Sequence, residues 1–371
     1  MRFLEEFGRR TLFTGLMRRS SRHEVVRPDE LSAQKRRVLV IAEDAIGDTI
    51  LTLPTIRAIA TAHPGNEVDV VTWPTAAQLF VGLHYVRRVI LFPRHDTRRL
   101  HAWRAVREHG PYDAVVDGMV LRRHVRSRSF AMMLASRAAY WVGESDRGSD
   151  YLLNVAAPRP SESTPHLERL LGLARPFGWS NPSKRPMLAV KPSERAAAHG
   201  FWDGEFSGPR VLLNISTNGP ERRWAPIRFA AVAAHIRRRS PNARLVVVGM
   251  ERDRRLVEYI ATAGEGRVVV PGLRELMALV ESAELVVSPD TAVCHMASAF
   301  CRPLVSIHNS GKEHWQPYDT PGVRVVGQSE DSFDGITEDQ VTRAIDQVLD
   351  EADLTAARYF LADAKSLAYS P

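Results

Sequence analysis

The chain has 371 residues, of which 44% are apolar and 25% are charged. That length predicts two domains, and that apolar fraction is enough for a substantial core, so disorder of the whole chain is excluded. The formal net charge of +7 favours anionic partners, which include nucleic acid, a membrane surface and an acidic substrate. Cys294 and Cys301 are the two cysteines; they exclude a disulfide framework, lack the spacing of a structural zinc site and fit a reducing compartment.

Residues 1–36 form a basic, loosely amphipathic extension in which arginines are interleaved with large apolar side chains. This pattern suits a helix that lies on an anionic membrane leaflet; a flexible basic arm and a helix packed on the domain are the alternatives. No apolar run reaches the ~18 residues of a membrane span, and Glu5 and Glu6 interrupt the charge pattern of a signal peptide. We therefore expect a cytoplasmic protein that can bind peripherally to the inner face of a membrane.

Strand and helix patterns alternate over residues 37–190, which predicts a domain with a parallel sheet covered by helices on both faces. The predicted strands lie at 38–42, 68–72, 89–92, 114–117 and 140–143.

The first of these strands leads through a polar loop, which contains Gly47 and Asp48, into a helix with regularly spaced apolar residues. Ligands of open α/β sheets bind at the carboxyl ends of the strands, so a carboxylate in this loop faces the crevice where chemistry is done. Asp48 is therefore the first candidate catalytic residue. The alternative is that Asp48 only caps the helix.

A run of positive charge follows the predicted strand that ends at Asp117. Such a run is usually a solvated face; the alternative is a loop that opens onto the side of the crevice where an acceptor binds. The candidate acceptor-binding residues in this run are Arg122, Arg123, Arg126 and Arg128.

Residues 191–209 lie in a stretch rich in Pro, Gly and polar residues and are predicted to link the two domains. The alternating pattern resumes over 210–350, where the predicted strands lie at 211–215, 245–248, 268–270, 285–287 and 304–307. Residues 351–371 are predicted to form a helix that braces one domain against the other.

Two polar loops follow strands of this second domain. Asp290 and Thr291 stand at the start of a predicted helix, and His295 lies about one turn further along. A phosphate bound there would meet the N-terminus of the helix; the alternative for His295 is a histidine satisfied in the core. The other loop has the sequence STNGPERRW and runs over residues 216–224.

These motifs together resemble the heptosyltransferase-like glycosyltransferases of family 9, which build the inner core of bacterial lipopolysaccharide. The matches span roughly residues 37–318. They are Gly47 and Asp48 followed by Leu53 and Pro54, the basic element Arg222, Arg223 and Trp224, and the donor loop Asp290, Thr291, Ala292 and His295. Two of these residues depart from the family pattern, since Ala292 replaces a glycine and Arg222 replaces a lysine.

The resemblance implies an α/β fold of the GT-B type, with two Rossmann-like, doubly wound parallel-sheet domains facing a central cleft. It implies inverting, metal-independent transfer of a sugar, expected to be heptose from ADP-heptose, onto an acidic lipid-linked glycan such as the lipopolysaccharide core. Asp48 would be the catalytic base, and Arg223 would assist in neutralising the diphosphate. The residues implied to bind the donor are Ser216, Thr217, Arg222, Glu251, Asp290, Thr291, Ala292 and His295.

The chain contains no Asp-x-Asp pair, so we expect no metal ion and no cofactor besides the nucleotide-sugar substrate. A nucleotide-sugar epimerase of similar architecture and a non-catalytic protein that binds anionic ligands are the alternatives. Nucleic-acid binding is disfavoured because the chain contains no known nucleic-acid-binding module. A dehydrogenase is disfavoured because no G-x-G-x-x-G motif follows a strand.

Overall fold

The structure is a computed structural model in which the chain divides into two compact units, Met1–Lys184 and Arg185–Pro371. It describes residues 31–42, 45–93, 99–118, 127–144, 153–157, 160–161, 163–179, 183–203, 208–217, 219, 223–311, 313–330, 332–333 and 335–351.

The first unit is built from strands and helices that alternate along the chain. Its described strands are β1 (Arg37–Ala42), β2 (Glu67–Thr72), β3 (Arg88–Leu91), β4 (Ala114–Asp117), β5 (Tyr140–Glu144) and β6 (Val155–Ala157). Its described α-helices are α1 (Ile46–Thr61), α2 (Arg99–His109), α3 (Ser127–Ser136) and α4 (His166–Gly172). The strands form one parallel sheet in the order β3-β2-β1-β4-β5-β6.

The central strand β1 has the sequence RVLVIA, and its last five residues are buried. Both faces of the strand are therefore covered, as expected for a parallel sheet. Leu39 and Ile41 belong to a core cluster that also contains Trp141 of β5 and Phe130 of α3, and the rings of Trp141 and Phe130 meet edge to face. This core fixes the position of the carboxyl ends of β1 and β4.

The second unit repeats this architecture. Its described strands are β7 (Arg210–Asn214), β8 (Arg244–Val248), β9 (Arg267–Val269), β10 (Leu285–Pro289), β11 (Leu304–His308) and β12 (Gly322–Val326). Its described α-helices are α5 (Pro192–Trp202), α6 (Pro226–Arg239), α7 (Arg254–Ala263), α8 (Leu273–Ser282), α9 (Ala292–Ala299) and α10 (Glu338–Glu351). The parallel sheet has the order β12-β11-β10-β7-β8-β9.

The helices of the second unit lie on both faces of the sheet. On one face, α6 packs against α7 and α10 over a core that includes Trp224 and Phe229, whose ring centroids lie 4.9 Å apart. Contacts of α8 with α5 and α9 build the other layer. The predicted fold class, two Rossmann-like, doubly wound parallel sheets, is confirmed.

The predicted strands all correspond to observed strands, but β6 and β12 were missed. β6 has three residues, too few for an alternating pattern to be recognised. β12 is an edge strand of sequence GVRVV, and its central arginine interrupts the apolar run.

The segment predicted as a linker, residues 191–209, contains a helix of the second unit, α5. Pro192 occupies its first turn, and the backbone N–H of Lys191 donates to Oε2 of Glu194 at 2.8 Å, an arrangement that favours helix initiation. Arg274 of α8 donates to Oε1 of Glu194 at 2.9 Å, and Nε1 of Trp202 donates to Oγ of Ser282 at 2.8 Å. The Pro- and Gly-rich composition predicted a linker, whereas this segment contains a helix that is stabilised by long-range contacts.

The boundary of the N-terminal extension at residue 36 also needs correction. Leu31 is 1% exposed, and the guanidinium of Arg36 lies over the ring of Tyr140, 5.4 Å from its centroid. Residues 31–36 therefore belong to the first unit. Residues 1–30, and the predicted C-terminal helix from residue 352 onward, lie outside the described residues.

Both sheets have the same strand order once each is numbered from its own first strand, namely 3-2-1-4-5-6. In this order the chain leaves strand 1 toward one edge of the sheet and returns to add strand 4 on the other side. Ligands of such sheets bind outside the carboxyl ends of the strands at this switch point. The switch points lie at β1 and β4 in the first unit and at β7 and β10 in the second.

Candidate functional site

Asp48 lies at the switch point of the first unit, in the first turn of α1. The N-cap residue of this helix is Ala45, whose side chain makes no capping hydrogen bond, so Asp48 does not occupy the capping position. Oγ1 of Thr52 donates to the carbonyl oxygen of Asp48 at 2.9 Å. This bond ties the backbone of Asp48 to the next turn, and the carboxylate is half-buried at the positive end of the helix dipole.

The end of β4 contributes a second carboxylate to this switch point. Asp117 is buried and pairs in register with Ile41 of β1. The N–H of Gly118 donates to the carbonyl oxygen of Ile41 at 3.0 Å, and a Cβ at Gly118 would lie 2.6 Å from that oxygen. Only glycine permits this approach, which draws the ends of β1 and β4 together.

The arginines that follow β4 are not placed at this site. Arg122, Arg123 and Arg126 lie outside the described residues, as does the side chain of Arg128 in α3. Their role as acceptor-binding residues stays a prediction.

Asn214 is the central polar residue at the switch point of the second unit. It ends β7, is 0% exposed, and its Nδ2 donates to Oγ of Ser288 at 2.9 Å and to Oγ1 of Thr291 at 3.2 Å. Its Oδ1 accepts from the N–H and the hydroxyl of Ser216, at 3.1 and 2.6 Å. One carboxamide thus connects the loop after β7 to the loop after β10.

The loop after β10 leads directly into α9. Thr291 is the N-cap residue, and its Oγ1 accepts from the N–H of Val293 at 3.3 Å. Ala292 is the first helical residue. The thiol of Cys294 is buried, and burial raises its pKa to about 12, so it stays protonated and unreactive at neutral pH. The first turn of α9 therefore offers hydrogen-bond donors and the positive end of a helix dipole to an anion.

His295 lies one turn into α9 and is 5% exposed. Burial lowers its pKa to about 4, an effect that Asp290 opposes and His308 reinforces, so the imidazole is neutral at neutral pH. Among the described residues, its buried Nδ1 atom has no hydrogen-bond partner. This does not match a histidine satisfied in the core, and it leaves a ring nitrogen for a ligand.

Asp290 lies beside His308, the last residue of β11. Oδ1 of Asp290 is 3.6 Å from Nδ1 of His308, and the Asp290 side chain is 13% exposed. The N–H of Asp290 also donates to the carbonyl oxygen of Ile307 at 2.9 Å. Asp290, His295 and His308 thus form a polar group where β10 and β11 end.

The hydroxyl groups of Ser216 and Thr217, in the loop after β7, donate hydrogen bonds to other groups of the protein. Ser216 donates to Asn214, and Oγ1 of Thr217 donates to the carbonyl oxygen of Gly219 at 2.8 Å. Nη2 of Arg252 reaches the carbonyl oxygen of Thr217 at 2.6 Å. In this arrangement Ser216 and Thr217 shape the loop, and their hydroxyl hydrogens are not offered to a ligand.

The basic element after this loop is only partly described, because Arg222 lies outside the described residues. Arg223 forms a hydrogen-bonded ion pair with the buried carboxylate of Asp253. Trp224 is buried, and its Nε1 donates to the carbonyl oxygen of Ile336 at 2.9 Å. The prediction that Arg223 neutralises a diphosphate is therefore not favoured, since its guanidinium already pairs with a carboxylate.

Glu251 lies just beyond β8, beside the switch point. Its side chain is 71% exposed and accepts two hydrogen bonds from Arg254, both at 2.8 Å, which lower the pKa of the carboxyl group. An exposed, ionised carboxylate at the end of β8 suits a pair of ribose hydroxyls.

The structure thus brings Ser216, Asp290, Thr291, Ala292 and His295 to one switch point and Asp48 to the other. The sequence analysis missed Asn214, His308 and Asp117 as site residues. Each is the last residue of its strand, and a polar residue at the carboxyl end of an apolar strand is the signal that could have identified them.

No helix in the described part of the chain is long and apolar enough to cross a membrane. Within the same ranges, no group of three His, Cys, Asp or Glu side chains is arranged to hold a metal ion.

Comparisons with known proteins agree with this geometry. Residues 99–334 match the model of glycosyltransferase family 9 (heptosyltransferase). Lipooligosaccharide heptosyltransferase 2 of Haemophilus influenzae is 23% identical over 306 residues, which cover 76% of this chain and 85% of that protein.

Solved structures show the same fold. A family 9 glycosyltransferase of Veillonella parvula has a TM-score of 0.75 at 18% identity and covers 86% of this chain and 99% of its own. A heptosyltransferase of E. coli, solved with ADP, has a TM-score of 0.66 at 19% identity and covers 84% and 99%.

The two Rossmann-like units, together with these solved structures, give the chain an α/β fold of the GT-B type. The chain belongs to glycosyltransferase family 9, the heptosyltransferase family, and the family predicted from the sequence motifs is confirmed. It is an enzyme of the glycosyltransferase class.

Proposed function

We propose that this enzyme transfers a heptose from ADP-heptose, with inversion at the anomeric carbon, onto an acidic lipid-linked glycan of the lipopolysaccharide-core type. The observation that carries the proposal is the set of chemical groups that lie at the two switch points. One has a half-buried carboxylate, Asp48, at the start of α1. The other has the N-terminus of α9, with Asp290 and the neutral His295 beside it.

The donor assignment is supported by the chemistry of the second switch point. A diphosphate needs hydrogen-bond donors and positive charge, and the first turn of α9 supplies donors aligned with a helix dipole. We propose that Arg222 adds a full charge and that Glu251 accepts from the ribose hydroxyls. ADP in the fold-related E. coli heptosyltransferase supports adenine as the base.

The transfer step assigned to Asp48 is a direct displacement. The acceptor hydroxyl oxygen bonds to the anomeric carbon on the face opposite the diphosphate, while the bond from that carbon to the phosphate oxygen breaks. The hydroxyl proton passes to the Asp48 carboxylate, and ADP departs with the electron pair. General-base assistance of this kind contributes roughly 10² to 10⁴ in rate.

Metal independence and acceptor binding complete the proposal. The chain has no Asp-x-Asp pair to hold a diphosphate-bound metal ion, so cationic side chains and α9 take over the stabilisation of the leaving group. Arg122, Arg123, Arg126 and Arg128 bind the phosphates and carboxylates of the acceptor.

We propose that residues 1–30 hold the enzyme on the cytoplasmic face of an anionic membrane, where a lipid-linked acceptor is found. Deletion of residues 2–30 leaves in place Leu31, which is buried, and Arg36, which lies over Tyr140. The truncated protein should lose partition onto anionic vesicles at low salt and keep turnover on a soluble acceptor. Equal vesicle binding by both proteins would refute this role.

The whole proposal is tested by product analysis. The purified enzyme is incubated with ADP-heptose and a lipopolysaccharide-core acceptor, and mass spectrometry follows both substrates while NMR reports the anomeric configuration of the new linkage. The expected result is release of ADP with extension of the acceptor by one heptose. Conversion of the sugar nucleotide without an acceptor would indicate an epimerase, and no conversion of either substrate would indicate a binding protein.

A further inference from the structure

We propose that Asn214 is a positioning residue for the donor diphosphate, because its side chain holds the loop after β7 in register with the first turn of α9. The inference rests on the proposed function, since it concerns the same nucleotide site. Asn214 itself is 0% exposed and acts through Ser216 and Thr291.

The connection runs between segments that are far apart in sequence. The Asn214 amide group donates across the switch point to Ser288 and Thr291, while its carbonyl oxygen accepts from Ser216 within its own loop. Oγ of Ser288 in turn donates to the carbonyl oxygen of Pro289 at 2.7 Å. Both polar atoms of the carboxamide are therefore used, and both adjoining backbone segments are fixed by it.

The buried setting makes this arrangement stiff. Hydrogen bonds inside a protein are stronger than in water, and a buried polar group left without a partner is costly. A shift of the loop after β7 relative to α9 would break several of these bonds together. The loop after β7 and the first turn of α9 are thus held at a fixed separation before a ligand arrives, which lowers the ordering cost of binding.

The neutral carboxamide also fits the charge of the ligand. Aspartate has nearly the same shape and could accept from the hydroxyl groups of Ser216 and Thr291, but it would place a negative charge beneath a diphosphate. Asparagine supplies the same connections without that repulsion.

The test measures ADP affinity by calorimetry for the wild-type enzyme and three variants. Asn214→Ala removes the whole connection and is expected to weaken ADP binding about tenfold, the scale of a lost buried hydrogen-bonding group. Ser288→Ala removes one of the hydrogen bonds that Asn214 donates and should weaken ADP binding about threefold. The matched control is Ser282→Ala, which removes a hydrogen-bonded serine from α8 of the same unit and should leave ADP affinity unchanged.

Two further readouts separate positioning from general damage. Asn214→Ala should raise KM for the donor and leave KM for the acceptor unchanged. The double variant Asn214→Ala with Ser288→Ala should bind ADP no more weakly than Asn214→Ala alone, because both changes cut one connection.

The outcomes distinguish this inference from the proposed function. Failure of the wild-type enzyme to bind ADP would refute the proposed donor and this inference with it. Tight ADP binding by the wild type and equally by Asn214→Ala would refute the inference alone, as would an equal loss in Ser282→Ala. Should Asn214→Ala not fold, an unchanged ADP affinity in Ser288→Ala is the result that overturns it.

Discussion

The two units share one strand order but place different chemistry at their switch points. In the first unit the switch point has two carboxylates, Asp48 in the first turn of α1 and Asp117 at the end of β4. In the second unit the ends of β7 and β10 present a neutral network of Asn214, Ser288 and Thr291. Strand order therefore gives each unit one switch point, and the side chains at the strand ends give the two switch points different chemistry.

The difference has a chemical reason. A carboxylate can accept the proton of a sugar hydroxyl, but it repels a diphosphate at short range. Neutral amide and hydroxyl groups with a helix N-terminus suit the diphosphate and cannot serve as a base at neutral pH. Asp290 is the exception in the second unit, and its Oδ1 lies 3.6 Å from Nδ1 of His308.

The sharpest test of this contrast is Asp48→Asn in the first unit. The change should lower the transfer rate by roughly 10² to 10⁴ and leave ADP affinity unaltered, because the carboxylate serves the acceptor. Turnover and calorimetry measure the two quantities. Asp113→Asn is the matched control. Oδ2 of Asp113 accepts from the N–H of Arg37 at 2.7 Å, so this carboxylate has a structural role in β1, and the substitution should leave the transfer rate unchanged. Wild-type turnover in Asp48→Asn would leave Asp48 without a catalytic role.

The neutrality of the second switch point can be tested through His295. Its pKa lies near 4 in the folded protein, below the value of about 6.5 of a free histidine. The unfolded chain therefore binds the proton more readily, and the stability that the buried neutral ring contributes is lost as pH falls from 6.5 towards 4.

We expect His295 to account for about 2 kcal/mol of the decrease in unfolding free energy between pH 6.5 and 4.5. His295→Gln should flatten this dependence in urea unfolding experiments, with the neighbouring Asp290 and His308 still present. His199→Gln, at an exposed site of the same unit, is the control and should keep the slope. A slope that His295→Gln leaves intact would show that the ring is not held neutral by burial.

The acceptor side can be examined through the arginines after β4. Arg122→Ala combined with Arg126→Ala should raise KM for an acidic acceptor severalfold, since exposed ion pairs contribute ~0 to 1 kcal/mol each. The effect should grow at low salt, where screening is weakest, and ADP affinity should not change. Arg238→Ala with Arg255→Ala removes the same charge from exposed sites of the second unit. An equal change of KM in both double variants would attribute the effect to net charge alone.

The smallest expected effect concerns metal ions. If cationic side chains and α9 stabilise the departing diphosphate, EDTA should change the turnover rate by less than about twofold. A catalytic metal ion supplies several kcal/mol of stabilisation, so its removal would lower the rate far more. Turnover is measured with and without chelation. Loss of activity that magnesium or manganese restores would contradict metal-independent transfer.

Much of the fold was predictable because its signals are local. The apolar runs of β1, β7 and β10 and the turns that follow them lie within single short stretches, and short-range patterns specify strands and helix starts. The same locality placed Asp48 and Thr291 correctly at helix starts. Residues 31–36 and α5 were misassigned because their partners, Tyr140 and Arg274, are far away in the chain.

The sequence by itself determined two alternating α/β domains, the family, and the polar loops that follow the strands. Only the tertiary structure decided what the polar side chains at those ends do. Arg223, expected to meet a diphosphate, pairs with Asp253, and Asn214 donates to Ser288 and Thr291, which lie 74 and 77 positions further along the chain. Secondary structure follows from neighbours along the chain. The hydrogen-bond partner of a buried polar group is instead set by packing between distant segments, because a polar group that has lost its water is stabilised by whichever partner the fold brings close to it.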